Sequence, residues 1–119
     1  MNSINLKQLL LLINDEKNLN ADLCLDLDCK VITADIKPLI KAINYVINYL
    51  KALAAEPLHI GLSSEKDSFI LVFLAVTDRH EIPPFDVKIN ELLKPFHTMA
   101  ESSFESGKFA KILLKFPKP

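Results

Sequence analysis

Glycine is nearly missing from this chain, which has two in 119 residues. Glycine-rich loops that wrap a phosphate in backbone amides, of the Walker or G-x-G-x-x-G type, are therefore excluded. Tryptophan is absent and cysteine occurs twice, at Cys24 and Cys29. Two cysteines without further ligands at zinc spacing make no zinc site, and they suit a reduced cytoplasmic protein. Neither sign of charge dominates: 14 Lys and Arg stand against 15 Asp and Glu. That balance lacks the footprint of a protein that binds nucleic acid or an anionic membrane. Long apolar runs are missing too. The longest, Leu9 to Ile13 and Phe69 to Val76, are too short to span a bilayer. The N-terminus lacks a basic region followed by an apolar stretch and a small-residue cleavage site, so no secretory signal is expected.

What is present is a hydrophobic half of the sequence, enough for one packed core in one domain over residues 1–119. Ile4 to Ile13 reads as a short apolar helix with Ser3 as N-cap. Asp22 to Asp28 alternates, with Leu23, Leu25 and Leu27 on one face, as a half-buried strand does. Lys30 to Thr33 is a second short strand. Asp35 then caps a long helix whose apolar set, Leu39, Ile43, Val46, Ile47, Leu50 and their neighbours, has helical period. Pro38 falls in its harmless first turn, and Pro57 is expected to end it. Leu58 to Ser63 is a strand, and Ser64 to Asp67 a polar turn. Ser68 to Thr77 is β-branched, aromatic and nearly all apolar, which predicts a central strand covered on both faces. Pro83-Pro84 makes the next stretch irregular. Asp86 is expected to cap a helix to about Lys94, with a further turn to Ala100. Phe109 to Phe116 is the last strand. The order α-β-β-α-β-β-α-β predicts an α+β two-layer sandwich, its mixed or antiparallel sheet carrying helices on one face.

These segments, in this order, resemble the ATP-binding domain of sensor histidine kinases, part of the GHKL superfamily. "INLKQLLLLI" resembles its opening helix and "ADIKPLIKAINYVINYLKAL" its nucleotide helix. "LHIGLSSEKDSFILVFLAVTD" resembles the hairpin leading to its first glycine box. "LLKPF" resembles its F-x-P-F box, with Leu93 in place of the first Phe, and "SGKFAKILLKFP" its closing strand. The resemblance covers almost the whole chain and implies a Bergerat-like fold.

The resemblance also implies where nucleotide chemistry would lie. In the family an acidic helix start is followed by a first asparagine and, one turn later, by the magnesium-binding asparagine. Counted from Asp35 without a gap, those positions are Tyr45 and Tyr49. The string N-Y-V-I-N-Y-L-K offers Asn44 and Asn48 instead, through a shift of one residue. Helix phase decides between the two. At about 100° per residue, Asn48 lies roughly 160° from the centre of the apolar arc and points to water. Burial of aliphatic side chains at about 1.5–3 kcal/mol each outweighs a string match. Asn44 and Asn48 are therefore expected to be solvated, with Tyr45 and Tyr49 on the ligand-facing flank. Asp78 matches the family residue that holds the adenine amino group. The glycines that should follow it are replaced by R-H-E-I-P-P, and the second glycine box, its helix and the ATP lid are missing.

Other constellations are weaker. "RHEIPPF" is similar to a phospho-acceptor box, but His80 precedes two prolines and cannot sit on a long helix. Asp22, Asp26 and Asp28 share a strand face with Cys24, which reads as a solvated acidic face. His59 and His97 are isolated. Tyr45 and Tyr49, with Phe85 and Phe96 near them, would either pack as core or fill the old pocket and recognise a partner. The chain starts directly at the domain, so phosphotransfer would need a partner's histidine. The resulting expectation is a binding module without catalysis or cofactor, contacting a signalling kinase or response regulator. Two alternatives stand beside it. One is a domain that still binds ATP and magnesium and acts in trans. The other is an unrelated α+β domain that forms a homodimer.

Overall fold

A computed structural model describes residues 2–26 and 29–118. The elements are β1 (Asn2–Asn5), α1 (Leu6–Glu16), β2 (Asp22–Leu25), β3 (Lys30–Thr33), α2 (Lys37–Lys51), β4 (His59–Ser64), β5 (Ser68–Val76), α3 (Ile89–Leu93), β6 (Ala100–Glu105) and β7 (Phe109–Pro117). A single 3-10 turn, Lys94–Phe96, follows α3. Five strands form a mixed sheet in the order β2-β4-β5-β7-β6, and β1 pairs with β3 in a separate ribbon. The β2–β4 pair is parallel and the others are antiparallel.

The register sets which residues meet the helices. Ile60 and Leu62 of β4, Phe69, Leu71, Phe73 and Ala75 of β5, and Ala110, Ile112, Leu114 and Phe116 of β7 share one face, and all are buried. Onto it α2 lays Leu39, Ala42, Ile43, Val46, Ile47 and Leu50, each fully sealed from solvent. Leu6, Leu9, Leu10 and Ile13 of α1 and Ile89 and Leu93 of α3 complete the helical layer. This is the expected two-layer α+β arrangement, with helices on one face.

Several local expectations need correction. β5 is central, but beyond its first residue, the buried Ser68, only its helix-facing side is buried; Ile70, Val72, Leu74 and Val76 are half-buried on the open side. Its open-face Ile70, Val72 and Leu74 pack beside cross-strand neighbours on β4 and β7, which suits aliphatic and β-branched side chains even without a covering layer. The opening helix begins two residues later than Ile4. Asn5, not Ser3, caps it, its Oδ1 accepting from the Gln8 N–H at 3.1 Å. The preceding residues form β1, which finds its partner in β3. Asp35 does act at the start of α2, accepting from the Lys37 N–H at 3.0 Å. That helix ends at Lys51, well before Pro57, in a tight turn where the Leu53 and Ala54 N–H groups bond back to the Leu50 carbonyl. Ala100 is not in a helical turn but opens β6, a strand the sequence reading lacked. Leu27 and Asp28, read as the end of the alternating strand, lie outside the described residues.

The packing of α2 gives a direct test. Ile47→Ala should lower stability by about 2–5 kcal/mol, as large-to-small changes in a sealed core do. The adjacent Asn48→Ala should change it by less than about 0.5 kcal/mol. Urea denaturation of the two variants measures both.

Candidate functional site

The sheet turns α2 so that its tyrosines face a loop rather than solvent. Tyr45 and Tyr49 are half-buried, one helical turn apart, with ring centroids 6.4 Å from each other. Phe85 closes the group. Its ring centroid lies 5.4 Å from that of Tyr45 and 5.2 Å from that of Tyr49, edge-on to the latter. Such offset aromatic contacts add about 0.5–1.5 kcal/mol beyond area burial. Two hydrogen bonds fix the loop over the helix. The Tyr49 hydroxyl donates to the Pro83 carbonyl at 2.6 Å, and the Asp86 N–H donates to the Tyr45 hydroxyl at 3.0 Å. Proline supplies a carbonyl without a competing N–H of its own.

The loop reaches this position because both sides of its first turn are tied. Arg79 sends Nη2 to the Ala52 carbonyl, just past the end of α2, at 3.3 Å. On the other side the Arg79 carbonyl accepts from the Gly107 N–H at 2.7 Å, and His80 Nδ1 is hydrogen-bonded to Ser106 Oγ at 2.7 Å. Gly107 has φ +71°, and a Cβ there would lie 3.1 Å from His80 Cε1. A side chain at 107 would thus meet both backbone strain and the imidazole.

Between this loop and the outer strands lies a cavity of about 310 Å³. Tyr49, Ile82, Pro83, Pro84 and Phe85 form one wall, and Ser102, Ser103, Phe104, Ala110, Lys111 and Ile112 the other. Asp78 is exposed just beyond the end of β5 and does not line it. Asn48 is exposed, and its Oδ1 accepts from Lys17 Nζ of the α1 end at 3.3 Å. Asn44 is half-buried, not fully solvated as expected, and neither asparagine lines the cavity. Phe96, expected near the tyrosines, is buried instead beside Val31, Pro95 and Pro117. Only His97, Thr98 and Met99 link the 3-10 turn to β6.

The other sequence candidates have structural tasks. Asp22 meets His59 Nδ1 at 3.1 Å, and Asp26 accepts from the Ser64 N–H at 2.9 Å. Cys24 is exposed and Cys29 buried. Among the described residues no three His, Cys, Asp or Glu side chains come together as a metal site, and no helix is long and apolar enough to cross a membrane. The contacts of Pro83, the Asp86 amide and Ser106 were beyond sequence reasoning. The lone glycine of the last hairpin was the one signal available for the His80 anchor.

Burial, and then the neighbouring Tyr45, push the Tyr49 hydroxyl above the ordinary tyrosine value of 10.0. Because the folded value is the raised one, the stabilising protonated form is fully present below pH 10.0. Its contribution is lost as pH climbs through the higher folded value. In Tyr45→Phe, where Tyr49 is the sole tyrosine, an ultraviolet pH titration should still show a midpoint above 10.0. Tyr49→Phe should cost about 0.5–1.5 kcal/mol through the lost hydrogen bond to Pro83.

No protein-family model matches the chain, and no curated protein does. Solved structures do match. The chain is similar to the Acinetobacter baumannii histidine kinase AdeS at a TM-score of 0.72 and 13% identity, covering 98% of this chain and 68% of that one. It is similar to the mycobacterial sensor histidine kinase MprB at a TM-score of 0.70 and 10% identity, covering 98% and 96%. It is similar to the histidine kinase domain of the E. coli osmosensor EnvZ at a TM-score of 0.76 and 8% identity, covering 100% and 89%. Identities this low speak for fold and not for activity. The chain has the fold of the histidine kinase catalytic, ATPase-type domain.

Proposed function

We propose that this chain is a non-catalytic binding module on the histidine kinase ATPase fold, acting by contact with a protein of two-component-type signalling. One observation carries the reading. The face of α2 that the family gives to nucleotide and magnesium is here covered by the chain's own loop, with Phe85 against Tyr45 and Tyr49. In this reading Tyr45 and Tyr49 stand where the family has its asparagines, and Asp78 is the vestige of the adenine contact.

The donor set supports the same conclusion. Magnesium favours carboxylate, carbonyl and water oxygens in octahedral array. The wall of this cavity offers no carboxylate or carboxamide side chain, and Asp86, which lines a second cavity beside Tyr45, has its Oδ1 engaged by the Lys88 N–H at 2.9 Å. The two tyrosine hydroxyls are engaged by Pro83 and Asp86, and Tyr49 is held in its neutral form. No glycine lies in the loop to let backbone approach a phosphate, and Glu81 adds a negative charge there. With these donors engaged and no glycine cradle, the residues present do not fit a magnesium nucleotide. The choice of a signalling kinase or response regulator as partner rests on analogy with the fold alone.

The test is isothermal titration with ATP and ADP, with and without magnesium, paired with a thermal-shift scan. A ligand of the native state must raise its stability. The expected outcome is no heat and no shift at millimolar nucleotide. Magnesium-dependent binding would instead favour a domain that still binds ATP and acts in trans.

A further inference from the structure

The cavity is not the only opening beside the covered face, because the sheet ends next to it. Among the described residues β6 is an outer strand, paired with β7 alone. In an antiparallel strand, successive residues present N–H and C=O to opposite edges. The Ala100 N–H goes away from β7, to Asn90 Oδ1 at 2.9 Å. The Glu105 carbonyl points the other way, accepting from the Lys108 N–H at 2.9 Å in the turn to β7. By this alternation Glu101, Ser103 and Glu105 bond to β7, and Ser102 and Phe104 turn their N–H and C=O groups outward. The side chains of Ser102 and Phe104 point to the helix side, where they line the cavity. An open edge and a largely apolar cavity are thus contiguous. Strand addition needs both, the edge for main-chain bonds and the cavity for alternate side chains.

We propose that β6 takes an extended segment of a partner protein as a sixth strand, one with basic residues at alternate positions and an apolar side chain between them for the cavity. Charge selects this occupant. Glu101 and Glu105 are exposed on the open face of the sheet, flanking Ser103. Glu101 has no ion pair among the described residues, and Glu105 has an exposed one with Lys108 at 2.9 Å. Exposed pairs of that kind contribute little and exchange readily. Lys111 lies one strand inward, opposite Ser103, so the outer side of both carboxylates is left for a cation. A strand laid beside β6 places its same-face residues directly across from them, where opposite charges attract. A second copy of this chain fits poorly. The antiparallel register that pairs Ser102 with Phe104 of the other copy sets Glu101 against Glu105 twice, and the register that pairs Ser102 with Ser102 calls on the Ala100 N–H, which Asn90 already holds. Like charges directly opposed are destabilising.

The probe is a set of seven-residue synthetic peptides with lysine at alternate positions and Val, Ile, Leu or Phe between. Amide exchange and chemical shifts of the intact chain are followed by NMR. The expected result is slowed exchange at Ser102 and Phe104 on peptide binding, with shifts from Ile82 to Phe85. Peptides N-methylated on their pairing edge, or carrying glutamate for lysine, should leave both amides unchanged. Glu101→Lys with Glu105→Lys should weaken binding by about tenfold. The proposal is overturned if no peptide slows those amides at millimolar concentration, or if N-methylated peptides act equally. Protection that rises with protein concentration alone would assign the edge to a second copy and overturn it as well. The inference rests on the binding-module reading, so magnesium ATP is titrated in the same samples. Nucleotide shifts at Tyr45 and Asp78 with peptide protection retained would refute that reading and leave the strand site. A silent nucleotide titration with no peptide effect would refute the strand site alone.

Discussion

Helix α2 has one way to lie on this sheet. Leu39, Ala42, Ile43, Val46, Ile47 and Leu50 are sealed where α2 packs on β5, β7 and α3, and a rotation of one residue would expose part of that stripe. At about 1.5–3 kcal/mol for each large aliphatic side chain, no polar contact elsewhere on the helix could reverse the choice. Everything at the candidate site follows from it. Asn48 points to water and to Lys17, while Tyr45 and Tyr49 point at the loop after β5. The loop then needs only a carbonyl, an amide and a ring in the right places, and Pro83, Asp86 and Phe85 supply them.

The loop is held from three directions, and this makes a short irregular segment a defined surface. Arg79 reaches back to the end of α2, His80 and the Arg79 carbonyl hold the β6–β7 turn, and Phe85 docks on the tyrosines. Two consecutive prolines remove two backbone donors that would otherwise need partners in this half-exposed position. The same loop forms a wall of the cavity beside β6. The covered helix face and the open sheet edge are therefore two consequences of one backbone path.

Much of this was legible from the chain alone. The period of α2, the apolar run of β5 and the closing strand β7 gave the fold class and the phase that turned Tyr45 and Tyr49 inward. β1 and β6 were not legible, for physical reasons. The segment "AESSFE" is polar at four of its six positions because it is an edge strand, stabilised by its ladder to β7 rather than by burial. In "NSIN" three residues are of a type that caps helices, and Asn5 prevails over Ser3 because β1 gains its partner β3. The proximity of Phe85 to the tyrosines could be named from sequence. The hydrogen bonds that fix it could not, because they depend on anchors 26 and 27 residues away in the chain.

The central claim is that Phe85 is docked on the tyrosines of α2 in the native state, and a double-mutant cycle measures that contact. Tyr49→Ala, Phe85→Ala and the double variant would be compared by urea denaturation. Rings in contact should show a coupling of about 0.5–1.5 kcal/mol. Effects that add to within about 0.3 kcal/mol would mean that the loop does not rest on the helix, and would contradict that docking.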